Sequence, residues 1–124
     1  MTTRPLPTKQ EAVPVGAILF VRSIDEDVAP DDLGGQSVTE QERIVCDRVV
    51  RDGLALNGIL YVACSDGVDS DERLSLMLAA LDNVPVQRLY ISGAVYAHDS
   101  DDEVVKHYAM LRLAGVRLTI CTEA

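Results

Sequence analysis

The sequence predicts a single α/β domain of three layers, α/β/α, with a four-stranded parallel sheet between the helices. Four short apolar runs alternate with three segments of helical periodicity, in the order β-α-β-α-β-α-β. Runs that are apolar almost throughout are typical of strands buried on both faces of a parallel sheet. Strands that alternate with helices indicate right-handed crossovers, and a chain of 124 residues suits one hydrophobic core.

The first strand is predicted over residues 17–22, where five consecutive apolar residues are followed by Arg22 and Ser23. Residues 1–14 before it are polar and punctuated by proline, so we expect a flexible N-terminal arm. Residues 24–35 after it are rich in Asp and Glu and indicate a long loop. Because its carboxylates lack the spacing of a calcium loop, a solvated acidic loop is favoured over a metal site.

Capping signals mark where the first two helices begin. Ser37 and Glu40 form a capping box that opens the first helix, which continues to about Leu54 and is stopped by Gly53 or by Asn57-Gly58. The second helix is predicted over residues 71–81, with Asp69 or Ser70 as its cap. Acidic residues in its first turn suit the positive end of the helix dipole.

The third helix is predicted to open within the acidic stretch 99–103 and to end at Ala114-Gly115. The other three strands are predicted at residues 59–64, 86–91 and 116–121. The positions expected to form the apolar face of the third helix are Val104, Val105, Tyr108, Leu111 and Leu113.

The composition argues against some classes of function. The formal net charge is -9 and the sequence pI is about 4.5, with the basic residues dispersed along the chain. This balance disfavours non-specific nucleic-acid binding, because affinity for phosphates comes from Lys and Arg. No apolar run approaches the roughly 20 residues of a membrane span, and the N-terminus lacks an apolar signal region. We therefore expect a soluble, cytoplasmic protein.

The cysteines and histidines match no metal-binding pattern. The three cysteines lack a zinc spacing, so we expect small buried hydrophobic residues in a reducing compartment. His98 and His107 lack a Cys/His partner pattern, so neither a metal nor a cofactor is expected. A nucleophilic pair of Ser92 with His98 stays open, although no pattern favours it.

Four local motifs carry a resemblance to a known family. They are an aromatic-x-Arg strand end, a Ser-x-x-x-Gln helix start, an Asp-x-x-x-Ser loop with a later Arg, and a Gly-Val-x-Leu segment. In this sequence they are Phe20-Val21-Arg22, Ser37-Val38-Thr39-Glu40-Gln41, Asp66-Gly67-Val68-Asp69-Ser70 with Arg73, and Gly115-Val116-Arg117-Leu118. With these motifs in order, the chain resembles the N-terminal catalytic domain of the resolvase/invertase family of serine recombinases. The resemblance implies a resolvase-like, flavodoxin-like domain over residues 15–124.

The resemblance also implies a site at the carboxyl ends of the strands. Arg22 and Arg73 are the candidates for the cations that neutralise the scissile phosphate, and Ser23 and Ser70 are the candidate hydroxyls. Each has a simpler interpretation as well. Arg22 could be a solvated charge, Arg73 could form a surface pair beside Asp69, and serines at such positions are more often loop or cap residues.

The sequence departs from the family where the chemistry is done. The position of the family's nucleophilic serine is Ile24, and the adjacent Ser23 points to the other side of an extended strand. Residues 92–98 lack the arginines that the family carries after its third strand. The long helix and DNA-binding module that follow the family's catalytic domain are also not found. The resemblance therefore implies the fold without the reaction.

We expect a stand-alone, catalytically degenerate recombinase-like domain of a mobile element or bacterial genome, linked to DNA recombination. It would act by forming a homodimer or a hetero-assembly with a recombinase. One alternative is an active DNA-cleaving protein that uses Ser23 as a relocated nucleophile. Another is an unrelated α/β domain that binds a small phosphate ligand at the helix starts near Ser37 and Ser70. A truncated fragment of a larger recombinase is a third.

Overall fold

The computed structural model describes residues 14–21, 38–64, 68–82 and 84–122. The predictions for the N-terminal arm and the acidic loop fall outside the described residues. The same is true of Arg22, Ser23 and the cap at Ser37. The predictions for the remaining strands and helices can be compared with the structure directly.

The sheet is parallel and four-stranded, in the order β2-β1-β3-β4, which confirms the predicted α/β class. The strands are β1 (Val15–Val21), β2 (Gly58–Ala63), β3 (Arg88–Ser92) and β4 (Arg117–Cys121). The two central strands are almost completely buried, and β1 is apolar throughout, whereas β3 begins with the partly buried Arg88 and ends with the buried Ser92. The strand order reverses between β1 and β3, because the chain moves from β1 to β2 and then returns past β1.

Three α-helices lie within the described residues: α1 (Val38–Arg51), α2 (Ser70–Leu81) and α3 (Asp101–Leu113). Asp69 caps α2 by accepting a hydrogen bond from the backbone N–H of Glu72 at 2.8 Å. A reciprocal capping box between Ser100 and Glu103 opens α3. None of these helices is long and apolar enough to cross a membrane.

The helices divide the core into two layers. Helix α1 packs on one face of the sheet through Ile44, Val45 and Val49, against residues of β1, β3 and β4. Helices α2 and α3 pack on the opposite face around Met77 and Leu111, against side chains of all four strands. Both faces are therefore covered with aliphatic side chains, which supply most of the burial that stabilises the fold.

The predicted apolar face of α3 is wrong in part. Leu111 is buried, whereas Val105, Tyr108 and Leu113 are exposed. The position that faces inward one turn before Leu111 is occupied by His107, which is completely buried. Because a polar residue holds a core position, only Leu111 and the partly buried Val104 among the five predicted apolar residues lie on the inner face of α3.

The two central strands separate toward their carboxyl ends. Strand β1 pairs with β3 only from Val15 to Ala17, whereas its pairing with β2 continues to Val21. In open α/β sheets, ligand sites collect at the carboxyl ends of strands where the strand order reverses. The gap between β1 and β3 is therefore the place where the fold would hold a functional site.

Candidate functional site

Polar side chains cluster between the start of α2 and the middle of α3, beyond the carboxyl ends of β2 and β3. We call this set the α2–α3 polar cluster; its members are Ser70, Arg73, Tyr96, Asp99 and His107. Two of its members, Ser70 and Arg73, are predicted site residues. The other three are brought to them by the short 3-10 turn after β3 and by α3. Four of the five are buried, and the side chain of Asp99 is only 9% exposed.

Arg73 forms a buried ion pair with Asp99. The two side chains are 7% and 9% exposed, and Arg73 Nη2 donates to Asp99 Oδ2. The guanidinium also lies over the Tyr96 ring, 5.2 Å from its centroid. The negative electrostatic potential of the ring face attracts the cation at this distance. The interpretation of Arg73 as a surface pair with Asp69 is therefore wrong, since Asp69 is occupied in capping α2.

The geometry of Arg73 matters for its chemistry. A guanidinium that binds a substrate phosphate must present its donors to solvent or to a cleft, whereas this group points its charge at an internal carboxylate. Its Nε atom is buried without a hydrogen-bond partner. Removing one member of such a pair strands the other charge in a poorly solvated site, so the pair is best understood as a unit.

His107 links α3 to the start of α2. Its Nε2 atom lies 2.9 Å from the carbonyl oxygen of Ser70 and 3.0 Å from the Ser70 hydroxyl. Its Nδ1 atom lies 2.9 Å from the hydroxyl of Tyr96. Because a carbonyl can only accept, the proton of the neutral ring belongs on Nε2, and Tyr96 then donates to Nδ1.

This tautomer prevents His107 from acting as a general base for Ser70. A nucleophilic serine must give its proton to a neighbouring acceptor, as in serine–histidine pairs. Here Nε2 donates toward Ser70, so the ring cannot take the hydroxyl proton. The serine–histidine pair within the described residues therefore serves to connect two helices.

Burial keeps the histidine and the tyrosine of the cluster neutral. Burial is the main cause that lowers the pKa of His107, and the nearby Arg73 charge adds to it. The hydrogen bond to the Ser70 carbonyl raises that pKa and partly opposes the shift. Burial also raises the pKa of Tyr96 well above its usual value. The cluster thus holds one ion pair surrounded by neutral groups.

A second polar side chain occupies the gap between β1 and β3. Gln41, from the first turns of α1, is completely buried. Its Oε1 accepts from the backbone N–H of Phe20 at 3.0 Å, and its Nε2 donates to the carbonyl oxygen of Phe20 at 2.9 Å. The amide replaces the partner that β3 would have supplied to this residue of β1. The place where such folds hold ligands is here occupied, in the described residues, by the protein's own side chain.

Other predicted candidates lie apart from both features. Ser92 is buried, and its hydroxyl accepts from the backbone N–H of Ala94 at 3.3 Å, whereas His98 is exposed. Cys64 and Cys121 are buried as expected, and burial raises the pKa of the Cys121 thiol to about 11. Cys46 is half-buried. Across the described ranges, no three His, Cys, Asp or Glu side chains are placed to hold a metal ion.

Sequence reasoning did not identify Tyr96 and Asp99 as residues of these features. It noted Gln41 only as part of the Ser-x-x-x-Gln helix start, and it considered His107 only as a metal ligand. For Gln41 a signal exists, since it precedes Ile44 and Val45 by three and four positions and so shares the inward face of α1. For Asp99 no local signal exists, because its partner is 26 positions away in the chain.

Comparison with protein-family models, with curated proteins and with solved structures found no significant match to the chain. The resemblance to the resolvase family thus stays a prediction based on the four motifs. The sheet order, the α2–α3 polar cluster and the Gln41 contacts rest on the geometry of the chain itself. Any functional interpretation must begin from that geometry.

Proposed function

We propose that this chain is a resolvase-like domain without catalytic activity, which acts by associating with a partner protein or a second copy in a process linked to DNA recombination. The single observation that carries the proposal is the buried ion pair of Arg73 with Asp99. Of the two candidate cations, only Arg73 lies within the described residues, and its charge is paired with Asp99. The proposal is also supported by the four motifs and by Ile24, which stands where the family has its nucleophilic serine.

Forming a covalent link to DNA requires cations directed at the phosphate, because charge builds up on its oxygens in the transition state. Arg73 is already neutralised by Asp99 and is only 6% exposed. Loss of one transition-state donor typically lowers the rate about 10²- to 10³-fold. The occupied guanidinium, together with the absence of arginine from residues 92–98, therefore supports loss of the reaction.

A role in association is supported by the outer face of α3. Val105, Tyr108 and Leu113 are 61%, 41% and 81% exposed, and Met110 is 39% exposed. Neighbouring exposed apolar side chains on one helix are typical of a surface that binds another protein. The net charge of -9 disfavours DNA as the direct partner of this face.

The first experiment tests the absence of catalysis. The purified chain is incubated with supercoiled plasmid, with and without magnesium, and analysed on a denaturing gel and in a shift assay. We expect no nicking, no covalent adduct and no shift. Nicking that disappears in Ser23→Ala and in Arg22→Ala would overturn the proposal and support the alternative in which Ser23 is the nucleophile.

The second experiment tests association through α3. Leu113→Asp places a charge in the exposed apolar face, and Val50→Asp is a matched control because Val50 is 73% exposed on α1. We expect the wild type and the control to self-associate, or to capture a co-expressed recombinase, and Leu113→Asp to lose this property. Equal behaviour of the two variants in sedimentation and co-purification would remove α3 from the proposal.

The alternative of a phosphate ligand near Ser37 and Ser70 gains no support from the described residues. Ser70 is buried, and its hydroxyl lies against His107. A ligand at this helix start would have to displace that contact.

A further inference from the structure

An open groove lies at the amino ends of β3 and β4, at the opposite end of the sheet from the α2–α3 polar cluster. Its volume is about 510 Å³, which is within the usual range of small-molecule sites. We call it the arginine groove. Its lining residues include Gln87, Arg88, Tyr108, Arg112 and Arg117.

Three elements contribute the three arginines of the groove. Arg88 begins β3, Arg112 lies in the last turn of α3, and Arg117 begins β4. Gly115, with a φ of 85°, makes the tight turn that joins α3 to β4 and so brings the last two arginines to one site. No carboxylate from the described part of the chain lines the groove.

The arginines of the groove differ from four of the five other basic residues in the described chain. Arg43, Arg48, Arg73 and Lys106 each form an ion pair. No ion pair to Arg112 or Arg117 is found among the described residues. Among the described residues, these two arginines therefore keep their charge without a carboxylate partner.

Arg88 is partly committed to the protein. Its charge contributes to the low pKa of Asp52, which is lowered mainly by the hydrogen bond from the Tyr90 hydroxyl. Arg112 and Arg117 therefore supply most of the positive charge that the groove offers to a ligand. Their planar guanidinium groups can donate two parallel hydrogen bonds to one phosphate or carboxylate group.

We infer that the arginine groove binds a small phosphate compound with more than one negative charge. Two unpaired guanidinium groups in one concave site match a ligand with at least two charges, and the volume suits a ligand of the size of a diphosphate or a nucleoside diphosphate. Gln87 and the hydroxyl of Tyr108 add neutral hydrogen-bonding groups at its wall. The proposed loss of catalysis depends on the other end of the sheet, whereas Tyr108 belongs both to the groove wall and to the exposed face of α3. Phosphate binding and self-association are measured separately, so the failure of either proposal can be recognised without the other.

Isothermal titration calorimetry of the full chain with inorganic pyrophosphate, at about 50 mM salt, tests the inference. We expect saturable binding that weakens when the salt is raised about tenfold, because exposed charges are screened. Arg112→Ala and Arg117→Ala should each weaken binding about tenfold or more, since each removes charged hydrogen bonds. Arg43→Ala is the matched control, because Arg43 is an exposed arginine of α1 outside the groove, and it should bind as the wild type does.

Further titrations distinguish a nucleoside diphosphate from free pyrophosphate, and a phosphate compound from an acidic peptide. Tighter binding of a nucleoside diphosphate than of pyrophosphate would identify the organic part as a contact, and equal binding would restrict the site to the phosphates. Arg117→Lys keeps the charge without the planar fork and should bind more weakly than the wild type. The inference is overturned if neither phosphate compound binds, if binding survives the double variant of Arg112 and Arg117, or if only an acidic peptide binds.

Discussion

The two ends of the sheet use arginine in opposite ways. At the carboxyl end, Arg73 is buried against Asp99 and covered by Tyr96. At the amino end, Arg112 and Arg117 line an open groove to which no described residue contributes a carboxylate. The same side chain is a part of the core in one place and an available charge in the other.

This difference shows that residue type and position in the fold do not establish a site by themselves. The carboxyl end is where α/β folds usually hold ligands. In the described residues, its polar groups other than Arg73 Nε are satisfied internally, for example by Gln41 at the Phe20 backbone and by His107 at Ser70. The fold gives no reason to expect a site at the amino end of the sheet. There, the charges of Arg112 and Arg117 remain accessible to solvent or to a ligand.

The largest effect should come from separating the buried ion pair. Asp99→Ala leaves the Arg73 charge buried without its partner, and we expect a loss of about 3–5 kcal/mol in the free energy of unfolding, measured by urea denaturation. Asp71→Ala is the control, because it removes the exposed pair with Lys106 and should change stability little. Similar losses in the two variants would show that the carboxyl end is not built around Arg73.

Gln41→Leu should destabilise the protein somewhat less. It removes both hydrogen bonds to Phe20 and leaves a buried N–H and a buried carbonyl unsatisfied, at a cost of about 2–4 kcal/mol. Gln87→Leu, at an exposed glutamine, provides the comparison in the same denaturation experiment. A loss no larger than that of the control would contradict the role given to the Gln41 amide.

His107 should make stability depend on pH. Its pKa is lowered in the folded state, so between that pKa and the unfolded value near 6.5 the unfolded chain binds more protons. Stability is therefore full above about pH 6.5 and falls as the pH drops toward the folded pKa. The charged groups near the ring are Arg73, Asp99 and Asp71, and all three remain in the variants compared here.

The measurement is the urea midpoint at pH 7.5 and at pH 5.5. His107→Gln should lower stability by about 1–2 kcal/mol at the higher pH, through loss of its hydrogen bonds, and should show a smaller drop on acidification than the wild type. His98→Gln, at an exposed histidine, should keep the wild-type drop. An unchanged drop in His107→Gln would assign the pH dependence to other groups.

The smallest effect is expected at the amino end. Arg112→Ala and Arg117→Ala remove exposed side chains that form no ion pair among the described residues, so stability should change by less than about 0.5 kcal/mol. Thermal unfolding without added ligand checks this. A large loss in either variant would mean that the groove arginines are structural, and the contrast between the two ends would disappear.

Much of the fold could be predicted from the sequence, because strand and helix signals are local. Apolar runs located all four strands, and Asp69, Gly53 and Gly115 mark helix boundaries in the structure as predicted. The inner face of α3 could not be predicted, since the buried position is held by His107. Its burial depends on partners from α2 and from the turn after β3.

The contents of the candidate site were harder to predict for the same reason. Ser70 and Arg73 were identified from motifs, but their surroundings come from Asp99 and His107, which lie 26 and 37 positions away from their partners. Pairings at that separation are set by how the helices pack across the sheet. The arginine groove likewise joins three elements, and no segment of sequence contains it.

The Gln41 contact links the motion of a helix to that of a strand. In an ordinary sheet, the N–H of a central residue exchanges its hydrogen when neighbouring strands part. Here the Phe20 N–H is held by a side chain of α1, so its exchange reports whether that helix is seated on the sheet. One amide proton in the middle of the molecule thereby becomes a natural probe for the docking of the only helix that covers its face in the described structure.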